Sequence, residues 1–275
     1  MSVEVDGVNK SIKVDTISEV TSANGVAIDG VTLKDNKVTA NGGLVADNIT
    51  IDGTEIDLSS GDLTLDAAGR IDLSADDNGE VRLFDGSSMY GQFKDDSDFL
   101  VVQSLIQDKG IAMVVNKGGS ASTAFLVDST TGAVTKPLQP AFRVESNATQ
   151  SNIDNNTLIL FGVETYDVGS NFASDHTFTA PVTGKYQLNM MVRMDNLDSS
   201  GTWVAMSIQT SNRNYTVLNS ASTLDTDTGY FTFTVSTLAD LDANDTANVL
   251  FNKSGGSATG DAADGYAQFS GFLAC

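Results

Sequence analysis

Over the first third of the chain, apolar residues recur in short alternating runs separated by turn formers. Val26-Ala-Ile-Asp-Gly, Ile49-Thr-Ile-Asp-Gly, Ile56-Asp-Leu, Leu63-Thr-Leu-Asp, Ile71-Asp-Leu and Val81-Arg-Leu-Phe-Asp-Gly each put Ile, Leu or Val on one face of a period-two strand. Asp52-Gly53, Ser60-Gly61 and Ala68-Gly69 supply the turns between them. Strands this short are too small for an ordinary sandwich, and residues 1–83 contain no Phe, Tyr or Trp to build a globular core. Three chains, each giving one narrow aliphatic stripe to a common axis, close such a core more easily than one chain can. The pattern therefore predicts a trimeric β-fibre shaft over residues 38–85, with a single-chain β-solenoid and an unstructured linker as the alternatives.

The pattern changes twice further on. Between residues 86 and 137 longer apolar runs appear, at Phe93, 99–103, 111–115 and 124–128, bounded by Gly86, Gly91, Gly110, Gly118-Gly119 and Gly132. This stretch reads as a β neck, also trimeric. Two of the three prolines, Pro137 and Pro140, then mark a boundary, and 15 of the 20 aromatic residues follow Pro140. Strands are expected at 140–145, 157–161, 177–180, 184–194, 202–209, 215–218, 229–236, 246–251 and 265–273. That is the inventory of an antiparallel jelly-roll sandwich, so the fold class is all-β with a head over residues 138–275.

Charge narrows the partners. With 15 Lys+Arg against 36 Asp+Glu, the net charge of −21 repels phosphate backbones and anionic lipid headgroups, so neither nucleic acid nor membrane insertion is expected. The single cysteine, Cys275, allows no internal disulfide. The N-terminus has no basic region followed by an apolar one, and no run approaches the length of a membrane span. The expectation is synthesis in the cytoplasm without a signal peptide.

Candidate chemistry is sparse. His176 is the only histidine; it has no metal-ligand spacing around it and stands at a strand edge beside a turn, so no catalytic residue is assigned. Paired carboxylates carry little information among 36 of them, and no phosphate loop, dinucleotide fingerprint or nucleophile elbow occurs. Calcium is the one cofactor to weigh, through Asp225-Thr-Asp227-Thr-Gly229 and the run from Asp72 to Gly79. Neither run has the closing Glu of an EF-hand loop, and turn chemistry accounts for both, so no cofactor and no metal ligand are assigned.

Three motifs carry a family resemblance. Pro140-Ala-Phe142, the run Phe178-Thr-Ala-Pro181-Val-Thr-Gly184-Lys-Tyr186, and Phe269-Ser-Gly271-Phe272-Leu273 occur in the order and setting of the C1q/tumour-necrosis-factor family of trimeric β-sandwich heads, which this region resembles. The resemblance implies a C1q-like jelly-roll head in which Pro140, Phe142, Pro181, Gly184, Tyr186, Phe269, Gly271 and Phe272 are structural, Pro181 and Gly184 turning the chain into a long strand. No collagen-like Gly-x-y stalk precedes this head. Upstream, Asn24-Gly25-Val-Ala-Ile-Asp29-Gly30-Val-Thr-Leu-Lys-Asp35 resembles a repeat of tailed-bacteriophage fibre and virion structural proteins, with Asn36 where those proteins carry Gly.

Together the two resemblances imply a homotrimeric virion fibre, a tail fibre. Residues 1–37 would attach to other virion proteins, and the knob would meet a host cell-surface glycan or protein. The expected contact surface is the head loops, represented by Asp195, Asn196, Ser199, Asn212, Arg213, Asn214, Asp225, Asp227, Ser257 and Asp261. A head or collar decoration fibre is the alternative within this class, a polysaccharide-degrading fibre enzyme the alternative from another, and a secreted C1q-like lectin a further one.

Overall fold

The computed structural model describes residue 60 and residues 62–74, 79–223, 228–257 and 259–275. The chain divides into two compact units, Met1–Ile71 and Asp72–Cys275. The segments expected at 26–30, 49–53 and 56–58, the attachment segment 1–37 and the phage-like repeat lie outside the described residues. In the described part of the shaft, residues 63–66 and 71–73 belong to no strand ladder within the chain, and Leu63, Leu65, Ile71 and Leu73 are all exposed. The alternation is present, but none of the described residues covers it.

Two antiparallel meanders follow, the first beginning in residues 81–85, the last segment expected of the shaft, and the rest lying in the expected neck. The first joins β1 (Val81–Asp85), β2 (Ser88–Asp96) and β3 (Phe99–Ser104); the second joins β4 (Ile111–Lys117), β5 (Ser120–Val127) and β6 (Val134–Thr135). Asp128 closes the second. Its Oδ1 accepts the amides of Thr130 and Thr131 and the Thr131 hydroxyl, while Gly132, at φ 70°, lets the chain reverse. Phe99 is 71% exposed, Leu100 79% and Met113 63%, so these sheets are built from apolar residues yet bury almost none of them. Among the described residues, every buried hydrophobic side chain lies at or beyond Phe142.

The head supplies that core. One sheet has the order β10-β7-β17-β12-β15, from β7 (Ala141–Glu145), β10 (Val163–Val168), β12 (Gly184–Leu197), β15 (Thr228–Leu241) and β17 (Gly260–Leu273), with β8 (Gln150–Ile153) also paired to β17. The other runs β11-β16-β13-β14, from β11 (Phe178–Thr179), β13 (Gly201–Thr210), β14 (Asn214–Ser220) and β16 (Thr246–Gly255), with β9 (Thr157–Leu158) on β16. Alternation along β12 turns Tyr186, Leu188, Met190, Val192 and Met194 inward, where they meet Met206, Ile208, Val249 and Phe251 of the facing sheet. The described chain is all-β and its head is a jelly-roll sandwich.

The head differs from the sequence reading in detail. Two of its strands, β8 and β10, were not expected. β12, β15 and β17 each run beyond the predicted limits. β12 continues to Leu197 because that side chain is buried and keeps the ladder with β15 to Thr228.

Candidate functional site

The structural motif residues converge on one cluster. Phe142 stacks on Phe178 with centroids 4.5 Å apart and meets Phe269 edge-on at 5.0 Å, while Phe178 also touches Tyr186 at 5.5 Å. The Tyr186 hydroxyl donates to the Val182 carbonyl at 2.8 Å across the turn that Pro181 opens, and burial raises the Tyr186 pKa above its ordinary value of 10.0. Gly184 and Gly271 are positions of close approach. A Cβ on Gly271 would lie 2.6 Å from Leu188 Cδ2 and 2.8 Å from Phe142 Cε1, and one on Gly184 would lie 2.5 Å from Leu273 Cδ1. Pro140 is buried beside this cluster, but Phe272 points away from it and is half-exposed.

The expected contact residues do not share one surface. The chain enters the head at Pro140, and the antiparallel ladders put Gly184, Thr210, Leu241, Thr246 and Leu273 at that proximal end. Leu197, Gly201, Thr228, Gly255 and Gly260 lie at the distal end. Asn212, Arg213 and Asn214 therefore sit at the proximal end, whereas Asp195, Asn196, Ser199, Ser257 and Asp261 belong to the distal half. Asp225 and Asp227 are outside the described residues, as are residues 75–78 of the run from Asp72 to Gly79.

Several of these residues are not loop residues. Asp195 and Asn196 are part of β12, Asn214 opens β14, and Asp261 is in β17. Asp261 stitches strands together, and Asp195 is held by a neighbour on its own strand. Asp261 accepts the Asn152 amide at 2.8 Å and the Asn196 side-chain amide at 3.0 Å, and Asp195 accepts a two-pronged bond from Arg193 at 2.9 and 3.1 Å. That pairing, with the charge of Asp195, raises the Arg193 pKa further above its ordinary value.

Sequence reasoning missed Arg193, Tyr230 and Tyr266. The register between β12 and β17 slips between Val192 and Met194, leaving Ala263, Asp264, Gly265 and Tyr266 as a bulge, with Gly265 at φ 72°. The bulge swings Tyr266 over Arg193, whose guanidinium carbon is 3.9 Å from the ring centroid and 5.9 Å from that of Tyr230. Tyr230 is 72% exposed. His176, at φ 65°, holds the backbone of Phe161: its Nδ1 lies 3.1 Å from the amide nitrogen and 3.0 Å from the carbonyl oxygen.

The proximal turn is held firmly. Thr210 Oγ1 donates to the Arg213 carbonyl at 2.8 Å and accepts the Arg213 amide at 3.1 Å; Asn212 Nδ2 reaches the Asp240 carbonyl at 3.0 Å and Asp245 Oδ2 at 2.7 Å. Ser211 Oγ accepts the Thr246 amide at 2.7 Å. The β13–β14 turn is thus fastened across the edge of the sandwich to the β15–β16 turn.

Residues 141–274, or 134 of 275 positions, match the family model described as C1q domain. No curated protein matches the chain significantly. Among solved structures, the globular domain of zebrafish complement 1qA protein is similar at 16% identity and a TM-score of 0.40, the match covering 50% of this chain and 98% of the zebrafish one. Murine APRIL at pH 8.0 is similar at 13% identity and a TM-score of 0.36, covering 49% of this chain and 98% of its own, and murine APRIL at pH 5.0 gives 11%, 0.36, 49% and 98%.

Proposed function

We propose that this chain is the subunit of a homotrimeric fibre of a tailed-phage virion, a non-enzymatic protein without a resident metal, whose C1q-like head attaches to a host cell surface. The observation that carries the reading is a contrast among the described residues before and after Pro140. The head encloses its own core, while Phe99, Leu100 and Met113 in the neck, and Leu63, Leu65, Ile71 and Leu73 before it, present apolar side chains that the described residues leave uncovered. Further copies of the chain cover such stripes most economically, since each copy brings the same stripe. In the head, the outer face of the six-stranded sheet carries Phe272, Tyr230, Tyr266 and Arg193, the residue types that anchor subunit contacts. A trimeric knob repeats each surface contact three times, so weak contacts add up.

Light scattering on the full chain in dilute native buffer should give three times 28.8 kDa; a folded lone subunit would refute the assembly. Localisation in a whole-virion density map should place the chain at the tail. A position on the head or collar would replace host attachment with decoration, and absence from virions would end the phage reading. Labelled full chain should adsorb to host cells and compete with infection.

A further inference from the structure

We propose that the cavity beside the proximal turn binds an acidic saccharide residue, a pyranose bearing one carboxylate. The proposal rests on the surface-attachment reading above and names the ligand chemistry of one of its candidate segments. Lys185, Asn212, Arg213, Tyr215, Leu238 and Asp240 line an open cavity of about 490 Å³, ample for a single sugar ring.

The charges in it are arranged for a monoanion. Lys185 Nζ pairs with Asp240 Oδ1 at 2.6 Å, and Arg82, Arg143 and Arg193 each sit on a carboxylate. Arg213 is exposed, and no carboxylate among the described residues pairs with it. In a chain of net charge −21, a free guanidinium next to a second cation is a local attractor for a carboxylate, which it can grip through two parallel N–H donors. Asp240 argues against a phosphate, whose second charge it would repel. It suits a sugar, whose hydroxyls it can accept.

The rest of the lining fits the same ligand. The half-buried Tyr215 ring and exposed Leu238 offer apolar walls to the C–H faces of a pyranose. Asn212 spends its amide hydrogens on the Asp240 carbonyl and on Asp245, leaving Oδ1 to accept a hydroxyl. Because Thr210, Ser211 and Asn212 already fix the turn, little ordering is left to do on binding.

The test is saturation-transfer and titration NMR on the full chain with D-glucuronate, with D-glucose and acetate as controls. Glucuronate should bind at millimolar strength, glucose and acetate about tenfold more weakly or less. Arg213→Ala should weaken glucuronate about tenfold, and Arg213→Lys should restore only part of that because it loses the planar fork. Equal binding of glucose, or glucuronate affinity unchanged in Arg213→Ala, would overturn the proposal. So would dissociation of the oligomer in Arg213→Ala, which would assign the cavity to subunit packing. Glucuronate binding without cell adsorption would sink the attachment reading and spare the pocket; cell adsorption by a wild-type chain that binds no glucuronate would do the reverse.

Discussion

Adding one methyl group at Gly271 tests the packing logic of the whole head. In Gly271→Ala the new Cβ would stand 2.6 Å from Leu188 Cδ2, 2.8 Å from Phe142 Cε1 and 3.1 Å from the Gln187 carbonyl oxygen, and both side chains are fully buried. Phe142 cannot yield freely, because Phe178 and Phe269 hold its ring on two sides. Overpacking of this kind costs about 1–3 kcal/mol. Alanine in a strand recovers about 0.5–1 kcal/mol of that relative to glycine. The net loss should be about 1.5 kcal/mol, a fall in head melting temperature of about 5 °C. Trp203, the single tryptophan, lies in β13, so its fluorescence follows the head alone. Leu188→Ala should itself cost about 2–5 kcal/mol and vacate the space, so Gly271→Ala should cost about 1 kcal/mol less in that background. A melting temperature within 1 °C of wild type, or strict additivity in the double variant, would refute the reasoning.

The remaining predictions address assembly and titration. Replacing Phe99 and Leu100 together by Ser should lower the mass measured by light scattering at dilution while leaving the Trp203 melting curve in place; an unchanged threefold mass would show that these side chains are not assembly contacts. The Asp128 carboxyl is held below its ordinary 3.8 by the Thr131 hydroxyl and then by the amides of Thr131 and Thr130. A group with a depressed folded pKa stabilises above its unfolded pKa and loses that contribution as pH falls through the folded one. The Thr131 amide shift should accordingly titrate with a midpoint below 3.8 and stop titrating in Asp128→Asn; a midpoint at or above that value would contradict the turn geometry. Tyr186→Phe removes the bond to Val182 and should cost about 1 kcal/mol at neutral pH. Since burial raises the Tyr186 pKa, the contribution of the wild-type phenol is complete below 10.0 and fades as pH climbs through the higher folded value, so a spectrophotometric midpoint under 10.0 would be the contrary result.

The sandwich was legible wherever a strand has one buried face. β7, β12 and β16 alternate between buried and half-buried positions, and that alternation stands in the sequence as Ala-Phe-Arg-Val-Glu or Tyr-Gln-Leu-Asn-Met-Met-Val, while β13 buries the continuous apolar-rich run from Val204 to Ile208. β8 and β10 gave no such signal. β10 is an edge strand whose first four residues are all exposed, and β8 buries Ile153 alone. Their pairing comes from neighbours, Glu145 and Val144 for β10 and Ala262 and Gly260 for β8, which no local pattern encodes. The three short motifs were informative for a physical reason: Phe142, Phe178, Tyr186, Phe269 and Gly271 meet in one cluster, so their identities are tied to each other across more than a hundred positions of sequence.

The contact surface was less legible, although part of it could have been counted. Strands in an antiparallel sandwich reverse direction at each hairpin, so successive turns alternate between the two ends. The turn after β12 and the turn after β16 fall at the same end because four strands separate them, while the turn after β13, with Asn212 and Arg213, must fall at the other. Composition alone put all of them in one group, because Asn, Ser and Asp fill turns at either end. Arg193 with Tyr266 could not have been counted at all, since their contact depends on a four-residue bulge that breaks the register. The parity has a functional consequence. Ser199 and Ser257 face whatever the distal tip approaches, whereas Arg213 faces a ligand arriving from the side, near the neck. Substituting Ser199 and Ser257 together by bulky residues should therefore alter adsorption to cells without changing glucuronate affinity, and Arg213→Ala should change glucuronate affinity with the distal tip intact. If either variant moved both readouts equally, the two ends would be acting as one surface and the topological division would have no functional meaning.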